Sequence, residues 1–125
     1  MKKTSLVFGY AFIFIGILGL LPNPIFGVGA LIVANIWHNL VYIIIGVLFL
    51  IFEEKEILVE LPMFRILGIA LIFLAFMGFV GSSNFILGFI ETNTFHDWIN
   101  MILGIAILAL GIMGKRWEIL DIDHE

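Results

Sequence analysis

Four apolar stretches run through this chain, at residues 6–21, 36–52, 64–80 and 95–113. Apart from Arg65 and Asp97 near their ends, they contain no Asp, Glu, Lys or Arg. Each approaches or reaches the ~20 residues that a helix needs to cross a hydrocarbon layer. A helix satisfies its backbone N–H and C=O groups internally, which an open strand in lipid cannot do. The pattern therefore predicts four transmembrane helices. Two apolar connections, 22–34 and 82–94, alternate with a middle loop rich in acids (Glu53, Glu54, Glu56, Glu60).

Polar positions show an internal repeat. Asn35-Ile36-Trp37-His38-Asn39-Leu40-Val41-Tyr42 opens the second stretch, with Gly46 eight residues after the histidine. Asn93-Thr94-Phe95-His96-Asp97-Trp98-Ile99-Asn100 opens the fourth, with Gly104 in the same place. The two histidines are 58 positions apart. Gly16-x-x-Gly19 in the first stretch is answered by Gly78-x-x-Gly81 at the end of the third. The expected fold is all-α and integral to the membrane, with four transmembrane helices forming two tandem two-helix repeats. Two spans per unit give the halves the same orientation, so a pseudo-twofold axis along the membrane normal should relate them. The chain reads as one membrane domain over 1–125: repeat one 1–59, repeat two 60–114 and a short cytoplasmic tail 115–125. Pro62 is expected in the first turn of helix three, where its missing N–H costs nothing. Segments 25–33 and 85–90 are candidates for lying in the membrane interface, and the tail alternates apolar and acidic residues from Ile119 to Asp123.

Composition agrees with a membrane protein. Apolar residues form 62% of the chain and charged ones 13%, against roughly 45–50% and 25% in a soluble domain. All six basic residues fall on one side: Lys2 and Lys3, Lys55 and Arg65, Lys115 and Arg116. By the positive-inside rule both termini and the middle loop are cytoplasmic, in the inner (plasma) membrane, and both His motifs face outward. The basic start followed by an apolar run resembles a signal peptide. That run is long for such a segment and has a counterpart in the second half, so a retained helix is expected. The absence of cysteine excludes disulfide and thiol chemistry. An acidic chain with no outer basic patch excludes nucleic acid as a partner.

Candidate chemistry gathers at the starts of helices two and four. His38, Tyr42 and Gly46 recur at intervals of four and share a helical face, bordered by Asn39. His96, Asn100 and Gly104 do the same beside Asp97, with Gly111 further along. Folded together, Asn35, His38, Asn39, Tyr42, Asn93, His96, Asp97 and Asn100 would form one outer polar cluster. Gly16, Gly19, Gly46, Gly78, Gly81, Gly104 and Gly111 would let neighbouring helices approach closely. Thr94 and Asp97 have the spacing of a capping box. Trp37, Trp98 and Trp117 read as interface anchors. The leading reading is a structural or accessory, non-enzymatic membrane protein with no cofactor. Its partners would be the lipid bilayer and copies of itself or a larger membrane complex. The alternative is binding or transport of a proton, metal, haem or small solute at the cluster, with Glu91 adding a carboxylate.

The elements His38-Asn39-Leu40-Val41-Tyr42-x-x-x-Gly46 and Asn93-x-x-His96-Asp97-Trp98-Ile99-Asn100-x-x-x-Gly104 resemble the bacterial four-span membrane proteins known as domain of unknown function 4383. In that family each second helix opens with an Asn-rich segment. An Asp-or-His, Asn, apolar, apolar, His pattern follows, with Gly four residues later. His38-Asn39, Gly46, Trp98 and Gly104 match. Tyr42, Asp97 and Asn100 depart from the usual His, Asn and His. The resemblance implies the four-helix architecture and no established activity. Its missing histidines at 42 and 100 count against a shared multi-histidine metal site.

Overall fold

The computed structural model of the chain describes residues 2–53, 55, 57–81 and 85–122, and the side chains of 3–53, 55, 59–81 and 85–114. Glu54, Glu56, the start of the second apolar loop at 82–84, and the side chains of Lys2 and of the tail from Lys115 lie outside these. The elements in order are α1 (Lys2–Leu20), β1 (Phe26–Gly27), β2 (Ile32–Val33), α2 (Ile36–Phe52), α3 (Ile57–Val80), β3 (Phe85–Ile86), β4 (Ile90–Glu91) and α4 (Thr94–Ile122). Among the described residues the chain is therefore all-helical apart from two very short strand pairs. Three helices, α1, α3 and α4, are long and apolar enough to cross a membrane. The fourth, α2, is shorter at 17 residues.

Helix boundaries depart from the sequence pattern at the end that carries the middle loop. The acids of the middle loop hide an earlier start of α3, at Ile57, so Pro62 lies inside the helix rather than in its first turn. Glu60 is not a loop residue but is buried in that first turn, where it accepts a hydrogen bond from Ser5 Oγ at 2.6 Å. At the same end α4 runs on through the expected tail to Ile122. Arg65 turns its guanidinium back onto α4, donating from Nε to the Gly111 carbonyl at 2.8 Å.

Helices pack as two antiparallel pairs, α1 along α2 and α3 along α4. Glycine sets both contacts. A Cβ on Gly46 would come within 2.6 Å of the Gly9 carbonyl oxygen, and one on Gly104 within 2.8 Å of the Gly68 oxygen. Gly16 meets the backbone of Asn39, and Gly111 meets Arg65. The space a side chain would need at Gly19 is filled by the Asn39 amide, and at Gly78 by the Asp97 carboxyl. Gly78 thus answers Gly19 directly, whereas Gly81 lies exposed just beyond α3. Gly9 and Gly68 were not among the positions singled out from the sequence.

An aromatic core joins the pairs. Phe49 stacks on Phe8 and Phe12 of α1 and meets the edge of Phe64 of α3 at 5.0 Å. Ile107 of α4 closes the same cluster. Large apolar side chains cover the outside of all four helices, including Phe14, Ile44, Ile51, Ile66, Phe73, Phe76, Ile102 and Ile112.

Within the described residues, both apolar connections form short strand pairs and turns next to the helix ends. Pairing is parallel between β1 and β2, and antiparallel between β3 and β4. Leu87 and Gly88 take left-handed conformations (φ 56° and 85°) to close the second turn, a region costly for Leu and easy for Gly.

Candidate functional site: a buried histidine pair under crossed loops

Two asparagines start the site. Asn35, extended at φ −95° and ψ −175°, caps α2 by accepting the His38 N–H on Oδ1 at 3.2 Å. Asn93 caps α4 in the same way, accepting the His96 N–H at 3.0 Å. This is the helix N-cap bond that Asn side chains make well. It also replaces the expected Thr94–Asp97 box. Asp97 instead accepts from Thr92 Oγ1 at 2.8 Å, and Thr94 is exposed.

Each asparagine has a second job. Asn35 Nδ2 donates to the Phe89 carbonyl at 2.8 Å, and Asn93 Nδ2 donates to the Leu31 carbonyl at 2.8 Å. The histidines repeat this exchange one turn deeper. His38 Nδ1 lies 2.8 Å from the Glu91 carbonyl oxygen, and His96 Nδ1 lies 2.7 Å from that of Val33. A carbonyl only accepts, so both imidazoles carry their hydrogen on Nδ1. The start of each second helix thus grips the loop of the other half of the chain. Trp37 adds an edge-on contact to Phe89, and Phe26 covers the edge of His96 at 4.9 Å.

The two rings stack face to face, 3.7 Å between centroids and 7° from parallel. Their Nε2 atoms are joined by two further side chains. Tyr42 places its hydroxyl 2.9 Å from His96 Nε2 and against Asn100 Oδ1. Asn100 Nδ2 reaches His38 Nε2 at 3.2 Å. His38, Tyr42, His96 and Asn100 are all buried, with no side-chain exposure to speak of. Burial at such a site is tolerable only because the polar groups find partners inside the protein.

Six of the eight polar positions read from the sequence belong to this exchange or sit beside it: Asn35, His38, Tyr42, Asn93, His96 and Asn100. Asn39 and Asp97 turn away, to Gly19 of α1 and Gly78 of α3. Both amide atoms of Asn39 are buried without a hydrogen-bond partner. The carbonyls of Leu31, Val33, Phe89 and Glu91 were not foreseen, since a backbone acceptor leaves no mark in the residue pattern. Thr92 could have been found from its spacing, five residues before Asp97.

This geometry does not suit a metal or haem iron. Imidazole binds a metal through a lone pair in the plane of its ring, and one ion cannot lie in two parallel planes 3.7 Å apart. A porphyrin has no room between stacked rings. Among the described residues no group of three or more His, Asp or Glu is placed to hold an ion.

Fold and site together define a helical protein of membrane character whose polar residues tie its loops together. The chain belongs to the family described as Domain of unknown function (DUF4383), whose model matches residues 2–113. No curated protein and no solved structure matches it.

Proposed function

We propose that this is a small multi-pass protein of the inner (plasma) membrane, structural or accessory rather than enzymatic, whose polar cluster locks the bundle's outer end. One observation carries the reading. The asparagine and histidine at the head of each second helix bond to backbone carbonyls of the opposite half's loop. A site that spends its imidazole and amide hydrogens on its own backbone is built to hold itself together.

All four helices are spans in this reading. At 1.5 Å per residue α2 is about 25 Å long, somewhat less than the ~30 Å hydrocarbon layer. The folded loops above it complete the crossing. Contacts offset by 58 or 59 positions support two repeats about a pseudo-twofold axis: Gly9–Gly46 with Gly68–Gly104, and His38–Glu91 with His96–Val33. Both termini lie on the cytoplasmic side, where the basic residues are. The apolar outer faces meet lipid, further copies of the chain or a larger membrane complex.

The test is His38→Ala with His96→Ala, compared with the parent in mild detergent by thermal unfolding, optical spectrum and elemental analysis. The double variant should lose on the order of 3 kcal/mol, from missing hydrogen bonds and the cavity left by two rings. Neither protein should carry a stoichiometric metal or pigment. Equal stability, or a species present in the parent and lost in the variant, would sink the reading.

A further inference from the structure

The hydrogens of the buried network can be counted, and they do not balance. Both imidazoles donate from Nδ1 to carbonyls, which leaves each Nε2 as an acceptor. Between these two acceptors stand one hydroxyl hydrogen and one amide group. With Asn100 Nδ2 toward His38, the amide satisfies His38 Nε2, and Tyr42 must choose between Asn100 Oδ1 and His96 Nε2. With the amide turned over, Asn100 donates to Tyr42, Tyr42 donates to His96, and Asn100 Oδ1 confronts His38 Nε2. Either way one acceptor faces another acceptor with no hydrogen between them. Both amide orientations lead to the same deficit.

One more hydrogen removes the conflict completely. In the first orientation it sits on His96 Nε2, and the chain reads His96 to Tyr42 to Asn100 to His38 with every member donating forward. In the second it sits on His38 Nε2, and the chain runs the opposite way. The two states interconvert when His96 Nε2 gives its proton to the Tyr42 oxygen, the Tyr42 hydroxyl hydrogen passes to Asn100 Oδ1, and the amide turns to release that proton to His38 Nε2, leaving its own N–H bonds intact. We propose that the stacked pair is a binding site for a single proton, held on either ring and relayed between them through Tyr42 and Asn100. A second proton has no acceptor left, and it would place two cations 3.7 Å apart in a buried site.

Other ionisable groups around the pair are few. On α2 they are His38 and Tyr42 themselves, and on α4 His96 and Asp97, the latter turned toward Gly78 and bonded to Thr92. On β4 Glu91 offers its carbonyl to His38. Strands β1 and β2 carry no ionisable side chain, nor does the outer half of α1 or of α3. Glu60 and Arg65 belong to the inner end. The proton therefore enters and leaves from the outer side, under the two crossed loops.

The proposal rests on the clamp described above, but its test does not depend on stability. Ring-nitrogen NMR of the His124→Gln protein, labelled with nitrogen-15 histidine in lipid nanodiscs, reads the tautomer and charge of His38 and His96 alone. At neutral pH both should be hydrogen-bearing on Nδ1. As the pH falls, the pair should take up one proton in total, with both rings reporting the same transition. Asn100→Asp puts an anion between the rings and should bind that proton at least tenfold more tightly. Tyr42→Phe breaks the relay and should confine the proton to one ring. Two independent protonations, a neutral ring bearing its hydrogen on Nε2 instead of Nδ1, or no uptake while the folded spectrum persists would each overturn the proposal. The clamp reading would survive the first and last of these results, whereas a hydrogen on Nε2 alone would break its histidine–carbonyl bonds as well.

Discussion

Asn39 and Asp97 occupy corresponding places, each facing a glycine of the neighbouring helix, yet their situations differ. Asp97 accepts from Thr92, while Asn39 has no partner for either amide atom. The residue corresponding to Thr92 in the first half is Ala34, which is fully buried and offers no hydroxyl. A buried polar group left unpaired costs roughly 1–3 kcal/mol, whereas removing it for an apolar group of similar shape can be neutral or favourable. Asn39→Leu should therefore raise stability, by about 1 kcal/mol, in detergent unfolding measurements. Asp97→Leu should lower it, because Thr92 Oγ1 then loses its close acceptor and keeps only the Asn93 carbonyl at 3.4 Å. An Asn39→Leu protein destabilised as much as Asp97→Leu would show that the asparagine has a partner after all. The identity of these eight polar residues was legible from the repeat, but their grouping was not. Spacing places Asn39 beside His38 on the helix surface without telling which neighbour each will face.

Helices were the most legible elements, because an uninterrupted apolar run has few other ways to satisfy its backbone in lipid. Their ends were less so. The acids before α3 look like loop residues, yet Glu60 finds Ser5 on another helix and the helix starts a turn earlier. The loops were the least legible, since each is held by the opposite half and carries no local signal of that bond. Close helix approach explains which glycines matter. Gly46→Val and Gly104→Val each place side-chain atoms against a facing carbonyl, and should each cost about 1–3 kcal/mol as overpacking of a tight contact. Gly81→Ala, exposed beyond α3, should stay within about 0.5 kcal/mol. Thermal unfolding of the three variants side by side checks this. If Gly81→Ala proved as damaging as the other two, the correspondence of Gly78 with Gly19, which leaves Gly81 without a packing role, would be wrong.

For the molecule as a whole, the question is where the locked end lies. The loops, the capping asparagines and the histidine pair share one end of the bundle, and Lys3, Lys55 and Arg65 mark the other. The positive-inside rule weighs basic residues near the ends of the spans and gives little weight to acids, so Glu53 and Glu60 do not offset them. In the proposed topology it puts the locked end outside the cytoplasm. That placement also fits the proton site, whose access is through the loops and not along the aromatic core around Phe49 and Phe64. The chain has no cysteine, which makes the topology directly readable. Val28, at the exposed tip of the first loop, and Lys55, exposed between α2 and α3, can each be replaced by cysteine at little structural cost. A membrane-impermeant maleimide should label Val28→Cys in intact spheroplasts. Lys55→Cys should react only after the membrane is opened. The opposite pattern would turn the protein over and put the histidine pair on the cytoplasmic face. Labelling of both sites in intact cells would mean that the helix pair α1–α2 does not span the membrane as a hairpin.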